Sequence, residues 1–116
     1  MPVKPSRGEI WHVNLDPVAG HEQAGRRPCL VISDDRYNYG QAGLVAIVPL
    51  TRIRRPNPFH VPISPPEGGI TSASFILCDQ IRTVSIDERF ADKWGDVSPA
   101  TLHTVEDRIK VFLKLR

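Results

Sequence analysis

The sequence is short of most features that would mark a function directly. No apolar run approaches the ~18 residues that a membrane span requires, and Met1–Arg7 holds no apolar signal core. The resulting expectations are a cytoplasmic location and no membrane partner. There are two cysteines, Cys29 and Cys78, each inside an apolar run, with no Cys-x-x-Cys and no histidine at ligand spacing. That pattern reads as buried reduced thiols and excludes a zinc site. The formal net charge is only +2, so any nucleic-acid binding must come from local clustering of charge. No Ser-His-Asp order, glycine-rich phosphate loop or metal constellation is present, and no cofactor is expected. The four histidines, His12, His21, His60 and His103, are scattered and support no histidine mechanism.

What the chain does have is length for one core, proline and short apolar runs. At 116 residues a single domain over 1–116 is expected. Its eleven prolines fall mostly in loops or at strand margins, which suits short strands rather than long helices. Arg7–Leu15 alternates, with Glu9, Trp11, Val13 and Leu15 opposite Ile10, His12 and Asn14, the period of a half-buried strand. Asp16-Pro17 breaks it, and a polar loop runs to Arg26. Pro28–Ser33 predicts a second strand and Leu44–Leu50 a third. Asp34–Gly43 has room for a turn of helix, and Phe59–Ile63, with Pro62, predicts an edge strand. Ser74–Val84 reads as the longest strand, and Gly95–Val97 as a little more. Ser98-Pro99 is a strong helix start, serine as N-cap and proline in the first helical position. Leu102, Val105, Ile109, Phe112 and Leu113 follow at helical spacing. Several short strands and one C-terminal amphipathic helix predict a mainly β fold. The expected form is a small barrel of the SH3-like type, or a strongly curved antiparallel sheet, with the helix over one end.

Candidate chemistry gathers at strand ends. Arg26 and Arg27 stand where a polar loop meets an apolar strand, so the strand fixes the base of the side chain while the loop can adapt. Glu22, Gln23, Thr51, Arg52, Gln80 and Arg82 occupy comparable positions. Each also has a plain structural reading as a surface charge or a satisfied polar group. Glu22 can act as a base or simply pair with Arg26 or Arg27. Arg52, Arg54 and Arg55 can be a solvated loop or can position phosphates.

Four motifs in order, Arg7-Gly8-Glu9-Ile10-Trp11, His21-Glu22-Gln23 with Gly25-Arg26-Arg27-Pro28, Val48-Pro49-Leu50-Thr51 and Asp79-Gln80-Ile81-Arg82-Thr83, resemble the MazF/PemK (Kid) toxins. The likeness spans nearly the whole chain. It implies a two-fold homodimer, sequence-specific and metal-independent cleavage of single-stranded RNA, and neutralisation by a MazE-like antitoxin with a disordered tail. It also implies that Arg27, before the strand-opening proline, and Thr51, after the third strand, are the catalytic pair. Asp79 stands where glutamate is usual in the family.

That chemistry suits the residues. Cleaving RNA through its own 2′-hydroxyl requires charge stabilisation on a phosphorane, which a guanidinium supplies with bidentate contacts. A threonine hydroxyl adds a hydrogen bond and orients the phosphate. Arginine is a poor proton acceptor, so Arg27 is assigned transition-state stabilisation ahead of proton transfer, and Glu22 is the alternative base or a substrate-positioning group. Arg26, Arg52 and Arg82 would fix the RNA track, and the amides of Gln23 and Gln80 are suited to base edges. Two rivals remain open at this point: a CcdB-like toxin that poisons DNA gyrase through protein contacts, and a non-catalytic SH3-like module.

Overall fold

A computed structural model describes residues 4–116. The alternating N-terminal run forms β1 (Glu9–Asn14), and after the polar loop come β2 (Arg26–Val31), a short helix α1 (Asp35–Asn38) capped by Asp34, and β3 (Leu44–Thr51). Next are β4 (His60–Ile63), a 3-10 turn at Glu67–Gly69, β5 (Ser74–Leu77) and β6 (Arg82–Ser85). The chain closes with α2 (Ile86–Arg89), β7 (Phe90–Asp96) and the helix α3 (Pro99–Leu113). The expectation of a mainly β fold with a C-terminal helix holds.

The expected barrel, or strongly curved sheet, does not form. The strands run β4-β5-β3-β2-β1-β7 in an open path whose end strands share no ladder, and β6 branches off β3. The turn Glu67–Gly69 is what sits on β7 instead. A Cβ on Gly95 would stand 2.8 Å from the Gly68 carbonyl carbon, and one on Gly69 2.1 Å from the Trp94 carbonyl oxygen. The turn and β7 thus pack backbone against backbone. On the far edge, Pro62 removes a ladder donor from β4.

Two further expectations change. The run Ser74–Val84 is two strands, because Asp79 and Gln80 form a turn closed by Gln80 N–H donating to the Leu77 carbonyl at 3.1 Å. Both strands pair with β3, β6 along Leu44–Ile47 and β5 at Leu50 and Thr51. Also, β1 buries side chains on both of its faces and not on one. Ile10 packs into a cluster with Leu30, Val48, Leu50, Ile76 and Val105, while Val13 and Leu15 join Cys29, Val31, Val45 and Ile47 on the other side. The central strands β1, β2 and β3 are thus covered on both faces.

Helix α3 covers the first of these clusters with Leu102, Val105 and Ile109. Ser98 Oγ accepts from Thr101 N–H at 3.1 Å, and Glu67 accepts from Ser98 N–H at 2.9 Å. Burying a side chain such as Val105 completely stabilises the fold by about 1.5–3 kcal/mol. Among the described residues no helix is long and apolar enough to cross a membrane.

Glu9 ties β1 to β7. It accepts from Ser6 N–H at 2.7 Å and Trp11 Nε1 at 2.9 Å, and pairs with Lys93 Nζ at 2.8 Å. Burial pushes its carboxyl up, but the bonds from Lys93, Ser6 and Trp11 outweigh that and hold it below its ordinary 4.5. A carboxyl so held stabilises the fold above about pH 4.5, and the contribution is lost as the pH falls through its lower folded value. Glu9→Gln should therefore lower the urea midpoint at pH 7, and the gap to wild type should shrink as the pH is taken well below 4.5. A gap independent of pH would show that the charge is not the stabilising element. Gly69→Ala should cost about 2 kcal/mol or more in the same assay, because φ is +75° and the added Cβ meets β7 backbone. Gly20→Ala, at φ +59° with open space around it, should cost clearly less.

Candidate active site

Strand pairing brings the first two candidates together. Strands β2 and β3 are antiparallel with Cys29 opposite Pro49. That ladder ends at this pair; Arg27 and Thr51 each lie two residues from it on their own strands, and on the other side of its strand Arg27 pairs with Val13. Both side chains line a pocket of about 330 Å³ together with Arg26, Arg52, Thr71 and Ser72. Arg27 Nε donates to the Ala24 carbonyl at 2.8 Å, which fixes the plane of the guanidinium and leaves its terminal nitrogens unengaged. Among the described residues no carboxylate pairs with Arg26, Arg27 or Arg52. Thr51 is 4% exposed, and its Oγ1 accepts from Ile53 N–H at 3.2 Å, so its own proton remains available. Arg54 lies over the Phe75 ring at 5.6 Å, holding the basic loop after Thr51 against β5.

The other candidates line a second pocket of about 480 Å³, walled by Glu22, Gln23, Gln80 and Arg82 with Leu15 and Ile81. The polar loop after β1 stands between the two pockets. It is tied at several points: Gln23 N–H donates to Gln80 Oε1 at 2.9 Å, Gly25 N–H to Asp16 Oδ1 at 2.9 Å, and Arg82 Nη1 to the Leu15 carbonyl at 2.5 Å. Glu22 accepts from Ala19 N–H at 2.9 Å within the same loop and makes no ion pair with Arg26 or Arg27. The structure thus joins Arg26, Arg27, Thr51 and Arg52, and separately Glu22, Gln23, Gln80 and Arg82.

A shallower depression of about 250 Å³ continues the second pocket past His21, Gln23 and Gln80 to Asn57, His60 and Asp79. Asp79 accepts from Asn57 Nδ2 at 3.2 Å and lies 3.8 Å from His60 Nε2, so it braces the turn between β5 and β6. Both thiols are buried and unpaired with each other. Burial pushes Cys29 up to about 12 against the pull of Arg27 and Arg82, and burial with Asp79 nearby does the same for Cys78. Neither is a nucleophile at neutral pH. Among the described residues no three His, Cys, Asp or Glu side chains are grouped to hold a metal.

Sequence reasoning missed Thr71, Ser72, Ser74 and Trp94, which complete the wall around Arg27 and Thr51. The hydroxyl-rich run Thr71-Ser72-Ala73-Ser74 after two glycines was the signal for the first three. For Trp94 no local signal existed.

The sequence profile of the PemK-like, MazF-like toxins of type II toxin–antitoxin systems matches residues 6–113. Endoribonuclease MazF9 of Mycobacterium tuberculosis is 36% identical over 114 residues, spanning 94% of this chain and 96% of that protein. The crystal structure of MazF from Deinococcus radiodurans superposes with a TM-score of 0.86 at 32% identity, across 97% of this chain and 99% of that one. A chain in the MazE–MazF crystal structure from the same organism superposes at 0.80 and 31% identity, across 98% and 99%. By sequence and by fold, this chain belongs to the PemK-like, MazF-like toxin family of type II toxin–antitoxin systems.

Proposed function

We propose that the chain, acting as one domain over residues 1–116, is a toxin endoribonuclease that cuts single-stranded RNA at defined sequences without a metal ion. It works in the cytoplasm as a homodimer, arrests growth by cutting messenger RNA, and is neutralised by a cognate antitoxin of the MazE type. The observation that carries the reaction is that Arg27 and Thr51, from adjacent strands, line one pocket rich in arginine and hydroxyl groups. The likeness to a toxin solved with its antitoxin supports the partner.

In this reading the 2′-oxygen of the RNA attacks the adjacent phosphorus while the bond to the 5′-oxygen breaks. The products are a 2′,3′-cyclic phosphate and a 5′-hydroxyl. Arg27 meets the non-bridging oxygens with its terminal nitrogens as charge develops there, and Thr51 donates its hydroxyl proton to one of them. Arg26 and Arg52 hold neighbouring phosphates, and Gln23, Gln80 and Arg82 line the track along which the strand continues. Glu22 belongs to that second track as a positioning group, since it lines the other pocket. Among the described residues the pocket around Arg27 is lined by no carboxylate and no imidazole. The 2′-hydroxyl proton is therefore lost to solvent hydroxide, and the leaving oxygen takes its proton from water.

Arg27→Ala should lower kcat by about 10²-fold or more with an unchanged urea midpoint, measured on a long RNA in EDTA with the fragment ends mapped. Full turnover by that variant, or ends other than cyclic phosphate and 5′-hydroxyl, would sink the assignment. The cleavage rate of wild type should keep rising between pH 6 and pH 8, because no imidazole and no carboxylate lines the pocket. A plateau set by an inflection near 6.5 would mean that an imidazole carries the proton. Arg26→Ala and Arg52→Ala should raise KM more than they lower kcat. Each should reduce the salt dependence of binding by about one phosphate contact, and an unaltered salt slope would remove them from the track.

A further inference from the structure

The pocket around Arg27 and Thr51 has one wall unlike the rest. Its lining is arginine, hydroxyl groups and small apolar residues, except for a single aromatic ring, Trp94. Three features of β7 aim and brace that ring. First, β1 and β7 pair Ile10 with Gly95 and Trp11 with Lys93, which leaves Trp94 as the extra residue of a bulge. A bulge re-aims the side chain it carries. Second, the His12 ring stacks on Trp94, centroids 5.6 Å apart and 21° between planes. Third, the Trp94 backbone is clamped by the turn Glu67–Gly69, with no room for a side chain at Gly69.

The contrast with Trp11 is informative. Trp11 Nε1 donates to Glu9 and its ring lies 5.7 Å from Phe90, so both its polar and apolar parts are engaged by the protein. Trp94 packs in part against the first core cluster, but its Nε1 has no protein acceptor among the described residues and the residue is only half-buried. A rigid indole backed on one face, with its N–H unengaged, beside a phosphate-binding arginine is the arrangement on which a nucleobase stacks.

We propose that Trp94 is the stacking platform for a nucleobase next to the scissile phosphate, a substrate-positioning residue that holds the flanking nucleotide while Arg27 and Thr51 engage the phosphate. The inference rests on the ribonuclease reading above. Every base has a π-face, so the platform holds the strand in place without selecting one base, and sequence choice falls to groups that reach base edges.

The test compares wild type with Trp94→Ala, Trp94→Leu and Trp94→Phe on an oligoribonucleotide carrying a mapped wild-type cut site. A second RNA has a 2′-deoxy sugar at the scissile nucleotide, so that it binds without being cut. The chain has two tryptophans, so in a Trp11→Phe background the emission comes from Trp94 alone. Binding of the deoxy RNA should quench it. Trp94→Leu and Trp94→Ala should raise KM about tenfold or more with kcat changed by no more than about twofold, and Trp94→Phe should restore most of the loss. An abasic nucleotide placed in turn on each side of the scissile phosphate should abolish the Trp94→Leu penalty at one of them. Leucine keeps apolar bulk in the wall, so a KM equal to wild type for Trp94→Leu would make the ring a packing residue and overturn the proposal. So would a penalty that survives at every abasic position, or unquenched emission. Failure of wild type to cut any RNA overturns the ribonuclease reading and this inference with it. Cutting by wild type with Trp94→Leu unaffected overturns this inference alone.

Discussion

Everything in the candidate site depends on the register between β2 and β3. Cys29 stands opposite Pro49, two residues from Arg27 on one strand and two from Thr51 on the other, and a slip of one residue would turn each side chain to the other face. Such a slip is costly here because both faces of these strands are buried. Leu30, Val48 and Leu50 pack on one side, and Cys29, Val31 and Ile47 on the other. A slip would exchange two sets of side chains packed against different neighbours, so the placing of Arg27 and Thr51 is held by core packing.

The loop between β1 and β2 then divides the surface. Its ends are fixed by the strands, and its middle is fastened to the turn after β5 through Gln23 and Gln80. Arg82 holds it from below at Leu15, and Arg89 reaches the carbonyls of Asn14 and Asp16 at 3.1 and 2.8 Å. The fastening uses backbone groups that would otherwise face solvent unpaired. One consequence is electrostatic. The carboxylates near the site, Asp16 and Glu22, accept from backbone amides of the loop and do not neutralise the arginines. A set of uncompensated guanidinium groups repel one another, which a marginally stable protein tolerates where a polyanionic ligand supplies the missing charge.

The turn before β5 is packed with the same economy of space. Turn Glu67–Gly69 lies against β7 so closely that only glycine fits at Gly69 and Gly95, and Glu67 from that turn also accepts from the first amide of the helix at Ser98. One short segment thus packs on β7, braces Trp94 and accepts a hydrogen bond at the start of the helix. The apolar side chains at the far end of α3, Val111, Leu113 and Leu115, remain exposed on this single chain.

Local chemistry made much of this legible in advance. The alternation of Arg7–Leu15, the continuous apolar run Leu44–Leu50 and the Ser98-Pro99 start each act through nearest neighbours along the chain, and each element formed near its predicted place. The places of Arg27 and Thr51 at strand ends are likewise local patterns, while their coupling as a pair came from the family resemblance. The tertiary structure decided what depends on partners distant in sequence. It split Ser74–Val84 at Asp79-Gln80, since only pairing of both halves with β3 shows that the polar pair is a turn. It left the sheet open, because whether the end strands β4 and β7 meet depends on pairings far apart in the sequence. It separated Glu22 from Arg27, though they lie five positions apart, because loop hydrogen bonds rather than spacing set their distance. It also brought Trp94 to Arg27, a neighbour that no periodicity could announce, because a bulge shifts the phase of the strand that carries it.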